Sequence, residues 1–379
     1  MINVVYRSSF RDPSGYGAAS REYLSSLNKI KDLNIVAKTK RFWTGGFLSL
    51  DPAANKLLSS LEVNDIPAST KYILLQQLTP ENFYIDPMAY YHIAYTPFET
   101  DRCPKHWLLN LRAMDEVWVP SKVNRDAYIK SGIQAEKVHV IPHGVNLDRF
   151  NPEIKPLSYK KSAFNFGSCF DWTERKGGKD LVQAFLEEFK EGEDVSLTLK
   201  SFWKFPLDQS RNEIKKQIKE LVNKKGIKDY NKNIHLWPDI LEDKSMPGFY
   251  TSLDCFVLPT RGEGWGLPFS EAMACGVPCI GPKEGGSTEF MNEDNSFLID
   301  GGMVIADDPD APAYNGHRWF QCDVKSLRKL MREAYTNTVK TKELSIKAAE
   351  DMKTRYTWDM AAEMMYKRLT KITTEKGYA

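Results

Sequence analysis

Residues 253–276 read LDCFVLPTRGEGWGLPFSEAMACG. The apolar run LDCFVLP is a strand, TRGEGWG a glycine loop at its carboxyl end, and LPFSEAMACG a helix that takes Pro268 near its first position and stops at Gly276. A strand feeding a glycine loop and then a helix is one βα unit of a doubly wound parallel sheet, whose ligands bind beyond the strand ends. Backbone N–H groups around Leu267 and Phe269 offer an anion site, and Gly264 and Gly266 let a ligand approach the backbone closely. Glu263 then projects from the loop and Glu271 from one turn into the helix. Carboxylates accept hydrogen bonds from vicinal diols, so a nucleotide sugar fits: phosphates on amides, one diol on Glu263, another on Glu271. The bland alternative is a solvated turn whose Glu271 merely favours the helix dipole.

Outward from this unit the same alternation repeats. FNFGSCF (164–170), VSLTLKS (195–201), NIHLWP and VPCIGP read as strands, with helices in GGKDLVQAFLEEFK (177–190) and QSRNEIKKQIKELVNKKG (209–226). The charges of the second helix, Glu213 and Glu220 among lysines, read as a solvated face. The N-terminal half opens on the strand INVVY, a turn-rich loop and a helix marked by Ala19, Tyr23, Leu24 and Leu27. Strands follow in YILLQQL, HIAYTPF, EVWVPS and KVHVIPHG. Strands alternating with helices predict an α/β class of two parallel-sheet domains. Prolines and polar residues break the periodicity near 150–160, and that is where the linker is expected.

Bulk properties narrow the function. At 379 residues the chain has room for two domains of roughly 150 residues. Its 42% hydrophobic and 27% charged content with a net charge of +2 is that of an ordinary globular protein, which favours neither nucleic acid nor membrane insertion. No apolar run approaches the roughly 20 residues of a membrane span, and MINVVYRSSF is too short for a signal peptide, so a cytoplasmic location is expected. The six cysteines are scattered and read as reduced core thiols, and the six histidines form no metal-binding pair. No metal or cofactor is expected beyond a nucleotide-diphosphate sugar as substrate.

Three further stretches carry candidates. DPSGYGAAS (12–20) is a second glycine loop opening a helix, with Gly15, Tyr16 and Gly17 at its centre; it lacks the third glycine of a dinucleotide fingerprint. FGSCFDWTERKGG sets Arg175 and Lys176 between a strand and a helix, where two basics are otherwise solvated surface. AKTKRFWTGGFLSL (37–50) interleaves Lys38, Lys40 and Arg41 with Phe42, Trp43, Phe47 and Leu48, a composition that suits an acceptor-side loop or contact with an anionic membrane surface.

EGWGLPFSE resembles the acid, seven residues, acid signature of the retaining GT-B-fold glycosyltransferases of family 4, the glycosyl transferases group 1. The likeness extends in order through SGYGAASREYL, YTPFETDRCPKHW, MDEVWVPSKVNRDAY, KVHVIPHGVNLDRFNP, FDWTERKGGKDLVQAF, the 250–281 stretch, GGSTEF and YTWDMAAEMMYKRL. It implies two Rossmann-like domains facing a cleft, an acceptor-side one over 1–152 and a nucleotide-sugar-binding one over 153–357. The last helix, 358–379, with its apolar stripe of Met360, Ala361, Met364, Met365 and Leu369, would cross back to the first domain. By the same resemblance Glu263 contacts the donor sugar, Glu271 the ribose, Gly15 to Gly17 the diphosphate from the other domain, and Lys176 the leaving diphosphate. Family members often carry an arginine where this chain has Ser168, so Arg175 either replaces it or a cation is missing. Glu99, in YTPFETDRCP, falls where the family places a residue near the transferred sugar, though it could equally cap Asp101 or pair with Arg102. Trp265 is a candidate for the wall of the sugar pocket.

The expected activity is metal-independent, same-face transfer of a sugar to a hydroxyl acceptor, glycan, lipid or other, with the diphosphate charge stabilised by Lys176 and two helix N-termini. Domain closure would expel water. A phosphorylase or epimerase on the same fold would show phosphate dependence or need no acceptor. A non-catalytic nucleotide-sugar sensor would bind donor without turnover.

Overall fold

The computed structural model describes residues 1–41, 50–67, 69–159, 162–202, 207–228, 230–237, 241 and 243–378. The chain divides into two compact units: unit 1, Met1–Asn146 with Arg355–Ala379, and unit 2, Leu147–Thr354.

Unit 1 runs β1 (Ile2–Ser8), α1 (Gly15–Leu27), β2 (Leu33–Thr39), α2 (Pro52–Val63), β3 (Tyr72–Gln77), β4 (Ala89–Tyr95), α3 (Leu108–Ala113), β5 (Glu116–Val119), α4 (Lys122–Lys130) and β6 (Val138–Val140). Its strands form one parallel sheet in the order β2-β1-β3-β4-β5-β6, with Val4 opposite both Ile35 and Ile73. The near-continuous apolar strands that the sequence shows are those of a sheet covered on both faces: in β3 every residue after Tyr72 is buried. Beneath the strand ends lies a polar knot. The Tyr95 hydroxyl stands 2.9 Å from both the Tyr23 hydroxyl and His143 Nδ1, and burial lowers the His143 pKa to about 3.

Unit 2 continues with β7 (Phe164–Asp171), α5 (Gly178–Glu188), β8 (Val195–Phe202), α6 (Leu207–Lys225), β9 (Ile234–Leu236), α7 (Met246–Thr251), β10 (Cys255–Val257), α8 (Leu267–Ala274), β11 (Cys279–Pro282), β12 (Phe297–Ile299), β13 (Gly301–Ile305), β14 (Arg318–Cys322), α9 (Val324–Thr336) and α10 (Thr338–Arg355). The second parallel sheet is ordered β12-β11-β10-β7-β8-β9, while β13 and β14 pair as a separate antiparallel hairpin. α5 packs against α9, where Arg328 and Arg332 reach Glu187, Glu188 and Glu193.

The last helix, α11 (Trp358–Glu375), packs on α1 and β1 and belongs to unit 1. Its Arg368 pairs with Glu116 at 2.5 Å, the carboxylate being only 2% exposed, and Trp118 and Tyr91 also donate to it. Among the apolar stripe of this helix, Ala361, Met365 and Leu369 are buried, while Met360 and Met364 are 44% and 43% exposed.

The boundary between units falls at 146/147, six residues before the expected 152/153, because the stretch after Asn146 already bonds within unit 2. Leu157 N–H donates to Gly248 O, and Arg149 pairs with Asp243. The return lies at 354/355 rather than 357/358, since Tyr356 O accepts from Val145 N–H. Among the described residues no helix is long and apolar enough to cross a membrane.

Candidate functional site

In unit 2 the strand order reverses between β7 and β10, so the loops leaving these two neighbouring strands lie side by side. At such a switch point a crevice forms beyond the strand ends. The β7 loop brings Arg175 and Lys176 on a short 3₁₀ turn, and the β10 loop brings Glu263. Lys176 Nζ lies 2.6 Å from Glu263 Oε1, Arg175 Nη1 lies 3.4 Å from the same oxygen, and Thr260 Oγ1 donates to it at 3.1 Å. These three charged side chains are 10–16% exposed. Burial raises the Glu263 pKa, but Lys176, Arg175 and the hydrogen bonds from Lys176 and Thr260 outweigh it, so the carboxyl lies below its ordinary range and is ionised.

The approach of the two loops depends on Gly177, which has φ +69° and whose missing Cβ would stand 2.2 Å from Pro259 O. Arg175 O then accepts from Arg261 N–H at 2.6 Å. The Arg261 side chain, 8% exposed, fastens the assembly: it meets Asp180 of α5 and Glu174 of the turn, each at 3.0 Å, and donates to Gln321 of β14 at 2.9 Å. On its far side the Glu263 loop rests on Gly286, whose N–H donates to Glu263 O at 2.8 Å and whose missing Cβ would fall 2.0 Å from Gly264 O. The sequence piece GGST therefore shapes the backbone under Glu263.

The glycine loop enters α8 through Gly266 at φ 98°, with no side chain capping the helix. Phe269 N–H donates to Gly266 O at 2.9 Å, which removes it from the expected anion site. The Leu267 N–H has no hydrogen-bond partner among the described residues, which leaves it available at the helix start as an anion donor. One turn on, Glu271 accepts from the Tyr250 hydroxyl at 2.8 Å and stays partly exposed. Trp265 is 3% exposed and packs on Phe290 with ring centroids 4.7 Å apart, so it anchors the loop from below instead of presenting a free ring. Ser168 is fully buried with no hydrogen-bond partner for its hydroxyl among the described residues; Arg175, not the Ser168 position, brings a second cation to Glu263.

The remaining candidates lie in unit 1. Ser14 caps α1 and accepts from Gly17 N–H at 3.2 Å, so that amide is already used. Gly17 is required by packing, since its Cβ would lie 2.2 Å from Asp12 O, whereas a Cβ on Gly15 would meet nothing within 4 Å. Tyr16 Oη lies 2.8 Å from Thr96 Oγ1. Glu99 is half-buried after β4, while Arg102 lies against Asp101. Phe42, Trp43, Phe47 and Leu48 lie outside the described residues.

The two six-stranded parallel sheets are the GT-B arrangement. Over 98% of this chain and 100% of the other, the structure aligns with Anabaena HepE, solved in complex with UDP and glucose, at a TM-score of 0.68 and 12% identity. Sucrose-phosphate synthase from Thermosynechococcus elongatus aligns over 99% of this chain and 100% of its own at a TM-score of 0.66 and 15% identity. Residues 161–316 match the family model of the glycosyl transferases group 1. The fold is thus the one these structures share, and the stretch that matches the group 1 model lies within unit 2.

Among curated relatives, the D-inositol 3-phosphate glycosyltransferase of Xylanimonas cellulosilytica is 27% identical over 199 residues, 47% of this chain and 45% of the relative. The lipopolysaccharide core biosynthesis mannosyltransferase LpsB of Rhizobium meliloti is 29% identical over 178 residues, 45% of this chain and 46% of the relative. The chain thus spans about half the length of these curated relatives.

Proposed function

We propose that the chain is a retaining, metal-independent glycosyltransferase of family 4 that moves a sugar from a nucleotide-diphosphate donor to a hydroxyl acceptor. The observation that carries this reading is the 2.6 Å approach of Lys176 to Glu263 at the switch point, beside the open start of α8. Lys176 and Arg175 neutralise charge gathering on the departing diphosphate, with the Leu267 N–H as a further donor. Glu263, kept ionised, accepts hydrogen bonds from the sugar hydroxyls, and Glu271 from the ribose diol. The bond from the anomeric carbon to the diphosphate oxygen breaks, and the acceptor oxygen bonds on the same face. The acceptor proton passes to the leaving phosphate oxygen, so no side-chain nucleophile is required. Gly15 supplies the open approach in unit 1, and Glu99 orients donor or acceptor. The names of the two relatives point to inositol phosphate and lipopolysaccharide core, which favours a sugar or polyol hydroxyl as acceptor.

The test is a panel of nucleotide sugars that includes UDP-glucose and GDP-mannose, followed by calorimetry and nucleoside diphosphate release with and without EDTA. One donor should bind and turn over slowly, with no effect of EDTA. Lys176→Ala and Glu263→Gln should each lower turnover by roughly a hundredfold or more while melting like the wild type. A requirement for metal or free phosphate, or wild-type rates in both variants, would overturn the reading. NMR of the glycosylated product reads the anomeric configuration directly.

A further inference from the structure

β7 and β8 run parallel in an unbroken register that sets Asn165 against Ser196, Gly167 against Thr198 and Cys169 against Lys200. Residues paired this way share a face of the sheet. The face is polar at its start, where Asn165 Oδ1 accepts from the Ser196 and Thr198 hydroxyls at 2.9 Å each. Lys200 is the next to last position of that row, followed only by the Asp171–Phe202 pair, and lies towards the carboxyl end of β8, beside the strand whose loop carries Lys176.

The Cys169 thiol reports which charges gather there. Its pKa is raised by burial, with Lys200 opposing, Glu271 and Asp171 adding to the rise, and Lys176 opposing. Tyr250, which holds Glu271, also senses Cys169. Lys200 thus stands opposite Cys169 in the strand register, and the charges of Glu271, Asp171 and Lys176 act on the same thiol.

Among the described residues, the cations of the two site loops are matched: Lys176 and Arg175 by Glu263, and Arg261 by Glu174 and Asp180. Lys200 is only partly exposed, yet makes no ion pair or hydrogen bond through its side chain among the described residues. A lysine at a strand end that has no ion pair of its own is available to an anionic ligand. We propose that Lys200 binds the phosphates of the donor, and so adds a cation from β8 to the site formed by Lys176, Arg175 and the start of α8. This rests on the donor-site reading above.

The test measures Lys200→Met and Lys200→Arg in the full chain by calorimetry with UDP, GDP, uridine and guanosine at two salt concentrations. For whichever diphosphate the wild type binds, Lys200→Met should weaken binding about tenfold to a hundredfold and flatten its salt dependence. Binding of the matching nucleoside should be unchanged, and Lys200→Arg should retain most of the affinity. Wild-type diphosphate affinity in Lys200→Met, or equal loss of diphosphate and nucleoside, overturns the assignment of Lys200 while leaving the donor site standing. A wild type that binds neither diphosphate overturns the donor site and this assignment together. Should Lys200→Met melt early, Lys200→Gln carries the same comparison.

Discussion

Glu263 is held ionised by two cations, and the backbone that holds those cations is itself held by Arg261. That guanidinium spans the Glu174 turn, Asp180 of α5 and Gln321 of β14, a reach that an ammonium cannot reproduce. Arg261→Met should cost about 3 kcal/mol in urea denaturation, because it leaves the mostly buried Asp180 carboxylate without its cation and frees the Glu174 turn, and Arg261→Lys should recover little of it. Turnover should fall with it, since Arg175 and Lys176 lose their fixed turn. The glycine loop between strand and helix marks Glu263 and Glu271 in the sequence, whereas Lys176 is marked only by the family resemblance; the structure brings Lys176 to Glu263. Arg261 was not legible: a single loop arginine looks solvated, and its partners lie 60 to 87 residues away in the chain. Ser168 was legible only as a missing charge, and the structure shows that Arg175 reaches the carboxylate instead.

Elements were legible where periodicity was strong. The buried strands β3, β7 and β8 and the helices α5 and α8 fall within a few residues of their predicted spans. β2 and the β13–β14 hairpin were missed, the latter because Gly301-Gly302 opens an exposed strand with no buried face to give an alternating pattern. The hairpin matters nonetheless, as Phe320 N–H donates to Arg261 O at 2.9 Å and ties it to the loop carrying Glu263. Glycines at element ends are sharper tests. Gly177→Ala adds a Cβ 2.2 Å from Pro259 O at φ +69°, so the two site loops must separate. The variant should lose diphosphate affinity tenfold or more, read by calorimetry, with a melting temperature lowered by several degrees. Gly192→Ala, also at positive φ but with nothing near its Cβ, should leave affinity unchanged.

On the scale of the whole molecule, acid stability is set partly by unit 1. His143 is buried and neutral, with its pKa lowered to about 3, while in the unfolded chain it takes a proton near the ordinary 6.5. The unfolded state therefore binds the extra proton first, and stability falls as pH drops from about 6.5 towards 3. Between pH 7 and 5 this amounts to about 2 kcal/mol, before carboxylates titrate. His143→Gln should flatten the denaturation midpoint across that interval; an unchanged slope would remove His143 as the cause.

Unit 2 is one continuous stretch of chain, whereas unit 1 is assembled from both ends, with α11 supplying Arg368 to the buried Glu116. During synthesis the order of completion is therefore inverted relative to the order of the first residues. Unit 1 emerges first yet stays unfinished, its Glu116 lacking a guanidinium, until all of unit 2 has left the ribosome and the last helix arrives. A nascent chain arrested before Arg368 should expose that carboxylate and the flank of β1 to proteases, while unit 2 is already resistant.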